Sequence, residues 1–129
     1  RISDKKVDIV ASIEARGFII GAPLALKLKA GFVPLRKKGK LPWRKRSITY
    51  QLEYGSETIE VHEDAVSKGT RVLIVDDLLA TGGTASSAAK LLEEMGAEVV
   101  GFAFVVELAF LNGREKLSGY DVESLVVYS

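Results

Sequence analysis

The chain has no cysteine and a single histidine, methionine and tryptophan among its 129 residues. Without thiols it can hold neither a disulfide framework nor a thiolate metal site, and its composition fits a reducing compartment. A Cys–His nucleophile set is impossible and no Ser–His–Asp set is visible; the lone His62, with no partner in view, reads as structural. No apolar run approaches the roughly 20 residues of a membrane helix, and no signal-peptide pattern precedes the first strand, so a cytoplasmic location without membrane contact is expected. Neither sign of charge dominates. Eighteen Lys and Arg against seventeen Asp and Glu leave a formal net charge of +1, which gives no global field for nucleic acid. There is no internal repeat and no low-complexity tract. The P-loop signature and the Gly-x-Gly-x-x-Gly dinucleotide fingerprint are both missing.

What remains is an ordinary globular composition, 47% hydrophobic and 27% charged. It is expected to form one domain over residues 1–129, able to bury about two-thirds of its unfolded surface.

One string stands out: Val72-Leu-Ile-Val-Asp76-Asp77-Leu-Leu-Ala-Thr81-Gly82-Gly83-Thr84. Four β-favouring apolar residues predict a buried strand. Two carboxylates follow at its carboxyl end, then the short loop Ala80, Thr81, Gly82, Gly83, Thr84, and then a helical pattern. A Gly-rich turn entering a helix is an anion site, because unpaired N–H groups point outward along the positive end of the helix dipole. Glycine lets the backbone close on a phosphate, and Thr81 and Thr84 add hydroxyls. Carboxylates beside such a cradle would repel a phosphate unless they hold another part of the same ligand. Sugar hydroxyls and a divalent cation both suit them.

Along the chain, residues 7–13 predict a strand, 14–17 a turn, 18–29 a helix stopped by Gly31, and 32–35 a second strand. Residues 36–46 read as a basic loop punctuated by Gly39 and Pro42. Residues 47–53 and 57–62 alternate around a turn at 54–56 and predict a β-hairpin. A motif strand over 71–75, a helix over 84–95, a strand over 98–106, a turn or short helix over 112–117 and a last strand over 122–128 follow. Strands alternating with helices predict an α/β fold with a mainly parallel twisted sheet, whose ligands sit beyond the carboxyl ends of the strands. The segments 14–17, 36–40 and 76–84 each follow directly on a predicted strand, which favours one shared site.

Arg16, with Gly17 behind it, can present a guanidinium and free N–H groups to a second phosphate group; taken alone it reads rather as a surface arginine near a helix start. The stretch 36–46 holds seven cations in eleven residues. It reads as a solvated charge run, a nucleic-acid patch helped by Trp43, or a mobile lid over a polyanion. Glu53 at the hairpin turn is placed to exchange a proton with a base nitrogen, or is simply an exposed acid. Glu93 and Glu94 read as solvated.

Together the strings Glu14-Ala-Arg-Gly-Phe18, Arg36-Lys-Lys-Gly-Lys-Leu-Pro42, Leu52-Glu-Tyr-Gly55, Val75-Asp-Asp-Leu-Leu-Ala-Thr-Gly-Gly-Thr84 and Leu111-Asn-Gly-Arg-Glu-Lys-Leu117 resemble the adenine phosphoribosyltransferases, within the type I phosphoribosyltransferase group. The resemblance implies a type I core with a β-hairpin and flexible basic loop over 36–62. It implies transfer of the phosphoribosyl group of 5-phosphoribosyl-1-pyrophosphate (PRPP) to adenine, giving AMP and pyrophosphate. Mg2+ would be held mainly through PRPP, with no direct protein ligand. Carried over, Asp76 and Asp77 take the ribose hydroxyls, and Ala80, Thr81, Gly82, Gly83 and Thr84 the 5-phosphate. Ala15, Arg16, Arg36, Lys37 and Lys40 take pyrophosphate, with Arg36 acting across a homodimer interface and Arg16 also approaching the base. Glu53 is the acid/base, and Leu78 and Leu108 wall the base pocket. The Glu14–Ala15 peptide is expected to be cis.

The family's N-terminal segment, which supplies helices and a purine-covering hood, has no counterpart in residues 1–6. A protein starting at Arg1 is therefore expected to bind PRPP but to hold adenine weakly, with low or absent transferase turnover. Transfer to another purine, or a PRPP- or nucleotide-binding module without turnover, are the alternatives. A nucleic-acid role is disfavoured because the basic charge is concentrated in one stretch.

Overall fold

The computed structural model describes residues 2–41, 44–51 and 55–129. After a 3-10 turn at Ile2–Asp4 come β1 (Ile9–Ile13), α1 (Arg16–Leu28), β2 (Gly31–Lys37), β3 (Lys45–Gln51), β4 (Ser56–His62), β5 (Arg71–Leu79), α2 (Gly83–Glu94) and β6 (Glu98–Leu108). Two 3-10 turns, Ala109–Leu111 and Gly113–Leu117, precede β7 (Val122–Tyr128).

The strands form one sheet in the order β3-β4-β2-β1-β5-β6-β7. From β2 to β7 the pairing is parallel, and the hairpin β3–β4 adds an antiparallel edge. The central strands are apolar on both sides because helices cover both faces. Along β5, Val72 and Ile74 face the cluster that includes Ala85, Ala88, Leu91 and Leu92 of α2. Leu73 and Val75 face the other way, into a cluster with Val10 and with Ala25 of α1.

The order of connections places the site. β1 leads through α1 to β2 on one side; its neighbour β5 leads through α2 to β6 on the other. Chain direction diverges between β1 and β5, and such a switch point opens a crevice beyond the carboxyl ends of the two strands.

Several boundaries differ from the sequence expectation. The first helix starts at Arg16 and ends at Leu28, three residues before the anticipated Gly31 stop. Lys29 takes the left-handed conformation (φ 57°) and donates its N–H to the carbonyls of Ala25 and Leu26. The helix runs through Pro23, whose ring is solvent-exposed. The motif strand continues to Leu79, so both aspartates lie on β5 itself, held in register against β6 by pairs such as Asp76 with Phe104 and Leu79 with Glu107. The basic stretch is shorter as a loop than expected: Arg36 and Lys37 end β2, and Lys45 and Arg46 begin β3. Pro42 and Trp43 of that stretch, and Leu52, Glu53 and Tyr54 of the expected hairpin turn, lie outside the described residues.

Candidate active site

At the switch point a cleft of about 200 Å³ opens between Arg16 at the start of α1, Asp76, Asp77 and Leu78 at the end of β5, and the loop 80–84 entering α2, with Phe104 of β6 in its wall. A larger groove of about 330 Å³ lies elsewhere, lined by Ile20, Leu24, Leu73, Val75 and Leu125. Apart from Glu123 its lining is apolar, so it offers nothing to an anion.

The loop is built as an anion cradle. Gly82 is left-handed (φ 87°), which turns the chain from strand into helix, and as the cap residue of α2 it makes no side-chain cap hydrogen bond. The free N–H groups of the helix start therefore stay available. A 3-10 turn supports the loop from outside. A Cβ on Gly82 would lie 2.6 Å from the carbonyl oxygen of Gly113, and one on Gly113 would strike the Ala80 carbonyl and approach Leu79 Cδ1 to 2.9 Å. Loop and turn thus touch backbone to backbone. Arg114 in the same turn donates to Glu107 through Nε at 2.8 and 3.0 Å, and Ser124 donates to that carboxylate at 2.8 Å. The Arg114 bonds hold the Glu107 carboxyl below the usual range despite its burial.

The two carboxylates differ. Asp77 receives Arg16 Nε at 2.9 Å. Asp76 accepts the Asp77 backbone N–H at 2.9 Å and packs against Gly17 at the start of α1. Burial, reinforced by the neighbouring Asp77 carboxyl, pushes the Asp76 pKa up to about 7, against the opposing pull of that N–H bond and of Arg16. A half-buried carboxyl group at the mouth of a cleft is suited to accept ligand hydroxyls, which replace the water it has lost. Paired carboxyl oxygens are also hard donors of the kind Mg2+ prefers, so these residues fit a Mg2+-bearing ligand.

The peptide between Glu14 and Ala15 is cis, as expected. Glu14 takes the Lys37 backbone N–H at 2.8 Å and Arg36 Nε at 3.2 Å, and those bonds hold its carboxyl below the usual range. Arg36, expected to act across a dimer interface, thus lies against Glu14 of its own chain and over the Phe18 ring at 5.9 Å. Lys37 Nζ pairs with Glu57 at 2.7 Å, and Gly39 donates its N–H to the buried Glu60 at 3.0 Å. Lys40 is exposed at the end of the turn. Carboxylates from the β1–α1 turn and from β4 therefore anchor the basic stretch.

Of the anticipated residues, the structure brings Arg16, Asp76, Asp77, Leu78 and all of Ala80, Thr81, Gly82, Gly83 and Thr84 into one cleft. Ala15 directly precedes Arg16 as the cap position of α1 and is not among the cleft-lining residues. Leu108 ends β6 opposite Tyr128 of β7 and is not part of the cleft lining. Tyr50 was not anticipated. Its buried side chain on β3 reaches α2, where its hydroxyl meets Thr84 Oγ1 at 3.0 Å and ties the hairpin to the phosphate loop. The alternation of the hairpin strand marks Tyr50 as inward-facing, but no local pattern names its partner 34 residues away.

Strand, paired carboxylates, glycine turn and helix N-terminus thus meet in one cleft at the switch point of the parallel part of the sheet. The chain belongs to the phosphoribosyltransferase family: the family model for the phosphoribosyl transferase domain matches residues 1–127. The chain is 59% identical over 127 residues to the adenine phosphoribosyltransferase of Clostridium kluyveri, an alignment covering 98% of this chain and 74% of that protein. To the enzyme of the same name from Acetivibrio thermocellus it is 61% identical over 121 residues, 94% of this chain and 71% of that one. The crystal structure of adenine phosphoribosyltransferase from Thermoanaerobacter pseudethanolicus shares the fold with a TM-score of 0.95 at 54% identity, over 98% of this chain and 74% of that chain. The Saccharomyces cerevisiae enzyme, complexed with D-2,5-dideoxy-2,5-imino-altritol 1,6-bisphosphate and adenine, matches with a TM-score of 0.90 at 45% identity, over 96% of this chain and 70% of that chain.

Proposed function

We propose that this chain transfers the 5-phosphoribosyl group of PRPP to adenine, giving AMP and pyrophosphate. The observation that carries the reading is the single strand-turn-helix on which Asp76, Asp77 and the loop 80–84 line one cleft with Arg16. It is supported by relatives of up to 61% identity bearing the name adenine phosphoribosyltransferase.

In this reading the N–H groups of the loop and the hydroxyls of Thr81 and Thr84 donate to the 5-phosphate. Asp76 and Asp77 accept hydrogen bonds from the ribose hydroxyls. The C1–oxygen bond to pyrophosphate breaks while the bond from C1 to the adenine nitrogen forms. Positive charge grows on the ribose, where the two carboxylates stabilise it, and negative charge grows on the leaving pyrophosphate. Arg16, Arg36, Lys37, Lys40 and the backbone at Ala15 receive that charge. Mg2+, when bound with PRPP, would add further cationic stabilisation to the diphosphate. Glu53 takes the proton that the adenine nitrogen loses, and Leu78 gives the base an apolar wall. No covalent nucleophile is required. The working unit is a homodimer in the cytoplasm.

A turnover assay with radiolabelled adenine, PRPP and Mg2+ tests this, with hypoxanthine and guanine as parallel substrates. Labelled AMP with adenine alone is the expected result. Turnover of another purine would reassign the base, and PRPP binding without turnover of any purine would reduce the chain to a binding module.

A further inference from the structure

The turn Gly113–Leu117 supports the phosphate loop, yet none of its residues has a part in the reaction as drawn above. We infer that Lys116 is a ligand-binding residue, its ammonium group gripping the 5-phosphate of a phosphoribosyl ligand from outside the loop. This rests on reading the loop 80–84 as a phosphate cradle.

The loop needs a cation. Ala80, Thr81, Gly82, Gly83 and Thr84 are all neutral, so a phosphate dianion there would meet only N–H groups, hydroxyls and the partial charge of a helix end. The nearest full charges in the cleft are the aspartates, which repel it, and Arg16, which is bonded to Asp77. Lys116 meets the need by position. Its Nζ lies 3.8 Å from the point where a Cβ on Gly83 would stand, and Thr81 Oγ1 lies 3.9 Å from the same point. Ammonium and hydroxyl thus flank one spot above the loop that glycine leaves open.

The rest of the turn fixes that reach. Gly113 presses on the loop backbone, Arg114 is pinned by the buried Glu107, and Leu117 is buried in the core. Among the described residues no carboxylate pairs with Lys116, whereas Arg114, two residues earlier, is bonded to Glu107 and to the Val122 carbonyl. The cation of the turn that stands beside Gly83 is thus one that no described carboxylate holds.

Calorimetric titration of the full chain with ribose 5-phosphate and, separately, with inorganic pyrophosphate tests this in wild type, Lys116→Gln, Lys116→Arg and Lys90→Gln, the last a control on an exposed lysine of α2. Lys116→Gln should weaken ribose 5-phosphate about five- to twentyfold, the range between an exposed ion pair and a charge-assisted hydrogen bond, and leave pyrophosphate within about twofold. Lys116→Arg should retain most of the affinity. Unchanged ribose 5-phosphate affinity in Lys116→Gln, an equal loss for pyrophosphate, or an equal loss in Lys90→Gln would overturn the inference while leaving the cradle intact. Wild type that fails to bind ribose 5-phosphate would overturn the cradle itself, and the role of Lys116 with it.

Discussion

Two carboxyl groups near the cleft, the half-buried Asp76 and the buried Glu107, respond to pH in opposite directions, and their neighbours decide the sign. Asp76, raised from 3.8 to about 7, holds a proton in the folded state that the unfolded chain releases at lower pH. Its contribution to stability therefore falls as pH rises from about 4 to about 7 and is level above that. Asp76→Asn should be more stable than wild type at pH 8, with the gap closing toward pH 4, as read from urea midpoints across that range. Ligand binding should move the other way: with Asp77→Asn added, PRPP affinity should collapse, since two charge-assisted hydrogen bonds of about 1.5–3 kcal/mol each are lost. Unchanged PRPP affinity in the double variant would remove the aspartates from the site. Glu107 behaves conventionally. Arg114 holds it below its ordinary 4.5, so the stability it adds is present above that value and is lost as pH falls. At Glu53 the expected effect is on chemistry: Glu53→Gln should lower turnover about 10²–10⁴-fold with little change in PRPP affinity, by steady-state kinetics and calorimetry together. A normal rate would leave Glu53 an ordinary hairpin acid.

Among the elements, the contact between the turn Gly113–Leu117 and the phosphate loop is the most demanding. Added at Gly113, a methyl group would run into the Ala80 carbonyl and Leu79, neither of which can yield without moving the loop. Gly113→Ala should destabilise the fold by about 1–3 kcal/mol in denaturant unfolding, the usual cost of overpacking, and should weaken ribose 5-phosphate binding as well. Loss of stability with full affinity would show that turn and loop move independently. The hairpin is coupled to the same loop from the other side. Tyr50 on β3 bonds Thr84, and Glu57 on β4, the cross-strand partner of Tyr50, bonds Lys37 at the end of β2. Burial would lower the Lys37 pKa, but Glu57, Tyr50 and Glu14 together raise it, so this lysine is firmly cationic where a diphosphate would arrive.

For the molecule as a whole, near-neutral charge hides an uneven distribution. Seven of the eighteen basic residues fall in the stretch 36–46. Glu14, Glu57 and Glu60 neutralise part of it, while Lys38 and Lys40 remain exposed at its turn. A polyanion bound in the cleft should draw these cations inward. PRPP with Mg2+ should therefore slow tryptic cleavage within 36–46, followed by mass spectrometry of the fragments. Equal cleavage with and without ligand would mean the stretch does not close over the site.

Much of this was legible in the residue order. The string 72–84 carries its own chemistry because strand, carboxylates, turn and helix start are all local, and hydrophobic period and glycine placement report local structure directly. Alternation gave the hairpin, and the cluster of strand ends at 14–17, 36–40 and 76–84 gave a single site. Long-range packing decided the rest. That Asp76 loses its water and Asp77 keeps an arginine depends on α1 lying against the end of β5. That Arg36 turns to Glu14, that Tyr50 finds Thr84 and that Lys116 stands over Gly83 depends on elements 22 to 34 residues apart meeting across the sheet. Sequence fixes which donors, acceptors and charges exist and what local backbone they favour. Only the sheet order, with its direction change between β1 and β5, determines which of them share a cleft, because burial and distance set the strength of every charge in it.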